Sequence, residues 1–273
     1  MSERNRCDVL VLAGDRTSND PLAKHFGVAG KALVPLGGVA LLERVLQVIE
    51  QWPATGRVVL VAPNLSDYRE VVERTNFSPK QLLWIEPRPT LYQSIEAALA
   101  VPDYFEGMGL VVSADHGLLK PQWLTQVTSS LNEESDLVVA MANWSEVMMA
   151  YPGNRRTRYR FSDQSLCGGN LFAFRMPGFL RVLARWHSVE QDRKKPWRML
   201  TMLGVGNLVR YLSGRLSSDD AFLALSKIAN VNVHAEIVND PSIAVDVDGF
   251  ADLELAEAIL SQRTPDSGVT GPC

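Results

Sequence analysis

The sequence predicts an α/β fold, a three-layer α/β/α sandwich in which helices cover both faces of a mostly parallel, mixed sheet. In the first half of the chain, short runs rich in Val, Leu and Ile alternate with segments whose apolar residues recur every three or four positions. Such runs are typical of buried strands, and such spacing is typical of amphipathic helices. Strands separated by helices favour parallel pairing, with ligands bound beyond the carboxyl ends of the strands.

The first half of the chain contains the clearest elements. The helix predicted over 39–52 carries Leu42, Val45 and Ile49 on one face, because these residues follow the helical spacing. The other predicted elements of this half are the strands 8–13, 57–62, 82–86, 109–114 and 136–142, and the helices 66–75, 92–101 and 121–132.

The second half is less regular. A single domain is predicted over 1–263, with a partly helical insertion at about 144–215. The tail 264–273 contains Pro, Ser and Gly and is expected to be disordered. The predicted elements of this half are the strands 158–162, 169–175 and 231–238, a helix from Pro177 to about Ser188, and the helices 196–213, 218–229 and 249–262.

The composition excludes several classes of function. The 273-residue chain has a formal net charge of −4, so it lacks the basic footprint of a nucleic-acid-binding protein. No apolar run is long enough to span a bilayer, and no membrane partner is expected. The three cysteines are widely spaced and form no CxxC pair, which indicates a reducing, cytoplasmic setting.

The loop after the first strand is the candidate phosphate-binding site. The strand runs into Leu12-Ala13-Gly14-Asp15-Arg16, and Lys31 follows just before the next apolar segment. Glycine lets the main chain approach phosphate oxygens, and an Arg and a Lys can neutralise their charge. The alternative interpretation is a surface loop with scattered charges.

Acidic residues at two distant positions are candidates for a divalent metal site. Asp115 follows the strand 109–114, and Mg²⁺ prefers one or two carboxylates together with phosphate oxygens. Asp246 and Asp248 alternate along an extended segment, so their side chains lie on one face. The structural alternatives are that Asp115 caps a turn and that Asp248 caps the following helix.

Basic residues in the second half are candidates for binding an acceptor phosphate. One arginine cluster precedes a Gly-Gly-Asn turn, where the backbone and an amide can approach a polar ligand, and a second basic run follows. Both runs are equally consistent with a solvated surface. The candidate acceptor-binding residues are Arg155, Arg156, Gly169, Asn170 and Lys194.

The order of these motifs resembles the signature of nucleotidyltransferases with the glycosyltransferase-A fold, of the molybdenum-cofactor guanylyltransferase type. In that family a strand ending Leu-Ala-Gly-Gly is followed by an Arg and then a Lys, whereas this chain has Asp15 in place of the second Gly. The segment Val245–Leu255 resembles the family's closing motif, Val-Asp-Thr-Pro-Glu-Asp-Leu. The resemblance covers roughly 8–135 and 231–262.

The resemblance implies transfer of a nucleoside monophosphate from a nucleoside triphosphate to a small phosphorylated acceptor, with release of pyrophosphate. It implies Mg²⁺ held by Asp115 and Asp248, with Asp246 in reserve, and catalytic roles for Arg16, Lys31 and Asp115. Base recognition is implied next to the helix 92–101, where a polar helix terminus is the alternative explanation. The residues expected to bind the nucleotide are Leu12, Ala13, Gly14, Asp15, Arg16, Lys31, Gln93 and Ser94.

Two other functions stay open at this point. A glycosyltransferase with a nucleotide-sugar donor shares the fold and the metal chemistry, but the Asp-x-Asp pattern usual there is absent from Ser113-Ala114-Asp115-His116. A non-catalytic nucleotide-binding module is the second alternative, and Asp15 is its best support. The sequence leaves the oligomeric state open, with a homodimer as one option.

Overall fold

A central mixed sheet organises the part of the chain that the computed structural model describes, which comprises residues 6–14, 19–190 and 204–263. The strands are β1 (Cys7–Leu12), β2 (Pro35–Leu36), β3 (Val39–Ala40), β4 (Thr55–Val61), β5 (Leu82–Ile85), β6 (Met108–Ser113), β7 (Leu137–Asn143), β8 (Tyr159–Arg160), β9 (Ser165–Arg175) and β10 (Val233–Ile237). The helices are α1 (Pro21–Phe26), α2 (Leu41–Gln51), α3 (Ser66–Glu73), α4 (Leu91–Leu99), α5 (Pro121–Ser129), α6 (Trp144–Ala150), α7 (Gly178–Glu190), α8 (Val205–Leu212), α9 (Ser218–Ala229) and α10 (Phe250–Arg263). Short 3₁₀ turns cover Lys31–Leu33 and Pro241–Ala244.

The main sheet has the strand order β10-β7-β9-β6-β1-β4-β5. Strand β1 pairs in parallel with β4 and β6, β4 with β5, and β7 with β10. Strand β9 runs antiparallel to both β6 and β7. The carboxyl ends of β1, β6 and β7 therefore lie at the same edge as the start of β9. The predicted fold class is confirmed.

Alternate residues of the central strands are buried on opposite faces of the sheet. Val9 and Val11 of β1 belong to the same apolar cluster as Ile49 of α2. Leu10, which lies between them, belongs to a second cluster that includes Ile95 of α4. Successive side chains of a strand point to opposite faces, so a strand buried on both sides reads as a continuous apolar run. Two helical layers with the sheet between them are the result.

Several element boundaries differ from the sequence predictions, and three of these differences concern strand pairing. Helix α2 begins at Leu41 rather than at 39, because Val39–Ala40 pairs with Pro35–Leu36 in a small antiparallel hairpin. The strand predicted over 169–175 begins at Ser165, since β9 pairs with β7 along this stretch and its paired glycines hide the strand pattern. The strand predicted over 158–162 is limited to Tyr159–Arg160.

Several expectations fall wholly or partly outside the described residues. The helix predicted over 196–213 is observed as α8, and its positions before 204 are not described. The tail 264–273 also lies outside the described residues, and the extent of the insertion at about 144–215 stays a prediction. Among the described residues, no helix is both long and apolar enough to cross a bilayer.

Glycine at position 109 allows β6 to lie against β9. Phe174 is the register partner of Gly109, is fully buried, and stacks on Phe179 with 4.1 Å between the ring centroids. A Cβ atom on Gly109 would overlap the Phe174 ring. The ring is held by the packing around it and cannot move aside freely.

We expect Gly109→Ala to lower the free energy of unfolding by about 1–3 kcal/mol, because overpacking forces the ring and the backbone to shift. Urea denaturation followed by circular dichroism measures this change. Gly107→Ala is the matched control, since no heavy atom lies within 4 Å of a Cβ built there. Equal losses in the two variants would contradict the steric argument.

Candidate functional site

Lys31 lies between two carboxylates at the carboxyl edge of the sheet. Its Nζ atom is 2.6 Å from Asp115 Oδ2 and 2.7 Å from Asp248 Oδ1. Lys31 begins a 3₁₀ turn, Asp115 follows β6, and Asp248 precedes α10. The structure thus brings together three of the candidate site residues, from segments that are far apart in the chain.

The environment of Lys31 favours its charged form. Burial by itself lowers the pKa of this ammonium, but the charges of Asp115 and Asp248 and their hydrogen bonds outweigh that effect, so the pKa is raised above its usual value. The side chains of Lys31 and Asp115 are 20% and 15% exposed, whereas that of Asp248 is 65% exposed. Asp248 is therefore the more accessible carboxylate of the pair.

The position of Asp115 is fixed by its neighbours. The Ser113 hydroxyl donates to Asp115 Oδ1, and the backbone carbonyl of Asp115 accepts from Val247 N at 3.0 Å. The fully buried ring of His116 contacts the Ile243 carbonyl at 3.0 Å through Nε2, which must donate because a carbonyl only accepts. Burial lowers the pKa of His116 to about 4, so the ring is neutral at pH 7. These bonds join the segment after β6 to the segment that carries Asp248.

Asp246 is the most enclosed carboxylate of the site. Arg156 forms an ion pair with Asp246 Oδ1 and donates from Nη2 to the Asp246 carbonyl at 2.8 Å. The amide of Asn170 donates to Asp246 Oδ2. Both side-chain oxygens of Asp246 are therefore engaged with protein groups.

Three carboxylates come close enough to share one metal ion. Oxygens of Asp115, Asp246 and Asp248 lie within 4.8 Å of one another, and no other such acidic group is found among the described residues. Oxygen donors of this kind suit Mg²⁺. The ammonium of Lys31 contacts two of the three carboxylates, which shows that a cation fits between them.

The first candidate nucleotide-binding residues lie at the end of β1, beside this group. The main chain of Leu12 accepts from Ala114 N at 2.9 Å, so the ends of β1 and β6 are adjacent. A Cβ atom on Gly14 would lie 3.1 Å from Pro87 Cβ, and glycine therefore lets the loop after β5 approach closely. Asp15 and Arg16 lie outside the described residues, and their roles stay predictions.

Gln93 and Ser94 occupy different environments at the start of α4. Gln93 is exposed and lines an open groove together with Arg88 and Pro89. Ser94 is 4% exposed, and its hydroxyl accepts from Arg88 N at 2.8 Å. The Ser94 hydroxyl thus holds the loop before α4, as the alternative of a polar helix terminus expects, and its contact with a ribose or base stays a prediction.

The candidate acceptor-binding residues do not form one surface. Asn170 and Arg156 face Asp246 rather than open space, and Gly169 is buried. A Cβ on Gly169 would lie 3.1 Å from Ile243, so this glycine serves close packing. The contacts of these three residues are with the protein itself, and a role in binding the acceptor stays a prediction for them. Arg155 is exposed, and Lys194 lies outside the described residues.

Two contributors to the site were not recognised from the sequence. Ser113 and His116 hold the loop that carries Asp115 in place. In the sequence, the only sign of this role is that both residues lie within two positions of Asp115. The bond of Arg156 to Asp246 joins segments far apart in the chain, and a run of alternating arginines gives no signal that one of them is buried.

Comparison with known proteins identifies the family. A family model for the MobA-like NTP transferase domain matches residues 9–194. The chain belongs to this family. The resemblance drawn from the motifs is thereby confirmed, and nucleotidyl transfer is supported as the general chemistry of the domain. No curated protein gives a significant match.

Solved structures share the fold. A hypothetical transferase from Thermus thermophilus is 28% identical with a TM-score of 0.75, covering 91% of this chain and 99% of that one. A 4-diphosphocytidyl-2C-methyl-D-erythritol synthase from Anaerococcus prevotii DSM 20548 is 11% identical with a TM-score of 0.55, covering 94% and 96%. A CMP:2-keto-3-deoxy-manno-octonic acid synthetase, in complex with CTP, is 12% identical with a TM-score of 0.57, covering 95% and 100%. The last two show the fold alone.

Lys31→Met tests the stabilising role of the central ammonium. In metal-free buffer we expect the variant to lose about 1–3 kcal/mol of unfolding free energy at pH 7, since a partly buried carboxylate loses its charged partner. The pKa of Lys31 is raised by folding, so its contribution is complete below the usual lysine pKa and declines above it. Urea denaturation at pH 7, 9 and 11 therefore measures a gap between wild type and variant that narrows at pH 11.

Lys24→Met is the control for this experiment, because Lys24 is exposed on α1. It is expected to leave the unfolding free energy within about 0.5 kcal/mol of wild type. A gap for Lys31→Met that widens with rising pH would refute the assigned ion pairs.

Proposed function

We propose that this protein transfers a nucleoside monophosphate from a nucleoside triphosphate to a small phosphorylated acceptor and releases pyrophosphate, with Mg²⁺ as its cofactor. The observation that carries the proposal is the position of the Lys31 ammonium between Asp115 and Asp248, beside the end of β1. In a member of an NTP transferase family, carboxylates for a metal and a lysine for phosphate are the groups that this reaction needs.

The donor set supports the choice of metal. Asp115 and Asp248 are the proposed ligands, and their oxygens, with those of Asp246, lie within 4.8 Å of one another. Mg²⁺ bound there would neutralise charge on the phosphates. Lys31 donates to the same two carboxylates, and its ammonium has three N–H donors, so it lies where one of them can reach a phosphate oxygen of the triphosphate.

The proposed reaction is an in-line displacement at the α-phosphorus. An oxygen of the acceptor phosphate forms a bond to this phosphorus, and the bond to the bridging oxygen of the β-phosphate breaks. The electron pair leaves with pyrophosphate. The attacking phosphate is already an anion, so the mechanism requires no general base. Lys31, together with Arg16, is proposed to stabilise the charge on the triphosphate and on the leaving group.

Recognition of the two substrates is assigned to separate surfaces. The groove lined by Gln93 and Arg88 lies on the loop that approaches Gly14, and this position supports a role in nucleotide binding. Arg155 and Lys194 remain the proposed acceptor-binding residues. A cytoplasmic location is proposed as well, and the buried free thiols of Cys7 and Cys167 are compatible with it.

Asp115→Asn tests the proposed function directly. With each nucleoside triphosphate, Mg²⁺ and a panel of phosphorylated acceptors, wild type is expected to release pyrophosphate only when an acceptor is present. The variant should turn over at least about 100-fold more slowly, since metal-assisted charge stabilisation is worth several kcal/mol and about 1.4 kcal/mol is tenfold in rate. A coupled pyrophosphate assay measures both.

Asp67→Asn is the control, because Asp67 is exposed on α3. It should retain wild-type turnover, and circular dichroism should show native folding for both variants. Full activity of Asp115→Asn would remove the metal assignment. Release of a nucleoside diphosphate from a nucleotide sugar would instead identify a glycosyltransferase, and binding without turnover would identify a non-catalytic module.

Lys31→Met should also weaken binding of the nucleoside triphosphate. Hydrogen bonds to charged groups contribute about 1.5–3 kcal/mol, so we expect a loss of about tenfold to 100-fold in affinity. Isothermal titration calorimetry with Mg²⁺ present measures it, with Lys24→Met as the control. An unchanged dissociation constant would exclude a phosphate-binding role for Lys31.

A further inference from the structure

Arg156 binds both ends of the segment that carries Asp248. Its guanidinium pairs with the Asp246 carboxylate and donates to the Asp246 carbonyl at 2.8 Å, and its Nη2 lies 3.6 Å from Asp252 Oδ1. The other carboxylate oxygen of Asp252 accepts from Asp248 N at 3.3 Å. Arg156 therefore contacts Asp246 and Asp252, which lie on either side of the proposed metal ligand Asp248. Asp252 in turn accepts a hydrogen bond from the backbone of Asp248.

Asn170 approaches the same segment from β9. Its φ angle of 50° lies in the left-handed region, which asparagine tolerates better than most residues. Here the pairing of β9 with β7 is irregular between Val139 and Met141, and the pairing with β6 ends at Leu171. Irregular strand pairing re-aims a side chain, and the Asn170 amide is directed at Asp246.

The burial of these groups makes their contacts strong and their loss costly. The side chains of Arg156 and Asp246 are 13% and 9% exposed. A buried carboxylate must be paired, and a guanidinium offers several donors in a fixed planar arrangement. Arg156 is thus suited to hold a loop in one conformation, whereas an acceptor phosphate would have to compete with two aspartates for it.

We infer that Arg156 is a positioning residue: with Asn170 it holds Asp246 outside the metal's ligand set and fixes the segment 245–252 so that Asp248 faces Asp115. The metal part of this inference rests on the proposed function. The structural part, the ordering of 245–252, does not. Groups that orient metal ligands typically change metal affinity by 10- to 100-fold when they are removed.

Hydrogen exchange of the metal-free protein tests the structural part. The amides of Val247 and Asp248 donate to Asp115 and Asp252, so they should exchange slowly in wild type. Arg156→Met is expected to accelerate exchange in peptides covering 243–252 by about tenfold or more. Arg210→Ala is the matched control, since Arg210 forms its ion pair with Asp220 at an exposed site, and it should leave these peptides unchanged. Unchanged exchange in Arg156→Met would overturn the inference.

Mn²⁺ binding, followed by electron paramagnetic resonance, tests the metal part without any turnover. We expect Arg156→Met to weaken Mn²⁺ binding by roughly 10- to 100-fold and Arg156→Lys by less. Asp246→Asn weakens the pair but keeps an acceptor oxygen and the bond from Arg156 to the carbonyl of residue 246, so it should weaken Mn²⁺ binding by less than Arg156→Met does, whereas Asp115→Asn should lose binding. An equal loss in Asp246→Asn and Asp115→Asn would show that Asp246 is a ligand and would overturn this part.

The double variant Arg156→Met/Asp246→Asn separates positioning from a general loss of folding. Arg156→Met leaves an unpaired buried carboxylate, and the second substitution removes that charge. We expect the double variant to recover part of the thermal stability lost in Arg156→Met, and no recovery would contradict the assigned pair. If wild type binds no Mn²⁺, the proposed metal pair fails, while hydrogen exchange still decides whether Arg156 orders the segment.

Discussion

Negative charge is concentrated at one edge of the sheet, and it is tolerated only because two cationic side chains lie among the carboxylates. Lys31 and Arg156 each contact two of the aspartates that converge there, which are Asp115, Asp246, Asp248 and Asp252. Like charges at such distances repel one another, and the repulsion grows as water is excluded. The local charge balance therefore determines which conformations of the surrounding loops are stable.

The sheet topology explains how the two cations reach this place. The parallel strands β1 and β6 end at the same edge, so the loops after them bring Lys31 near Asp115. Strand β9 runs in the opposite direction, so its beginning rather than its end lies at that edge and supplies Asn170. Because β9 is antiparallel to its neighbours, it places the Asn170 amide at this edge. The other site residues there come from loops that follow or precede the parallel strands.

Local patterns predicted the layers of the fold, whereas the resemblance to a known family implied that Lys31, Asp115 and Asp248 belong to one site. The local patterns did not predict the environment of Arg156. Its burial depends on contacts with Asp246, which lies in a distant segment, and no local spacing encodes such a contact. The sequence left the role of Ser94 open for a related reason, since a polar residue at a helix start serves the backbone as readily as a ligand.

The bond between Arg156 and Asp246 joins two parts of the chain that a protein engineer would treat as independent modules. Arg156 follows α6, in the region expected to adapt the domain to its acceptor, whereas Asp246 lies in the closing segment before α10. Grafting the region after α6 from a relative that lacks an arginine at this position would remove the guanidinium and leave the carboxylate behind. A chimera designed to change the acceptor must therefore retain Arg156, Asn170 and Asp246 as one unit.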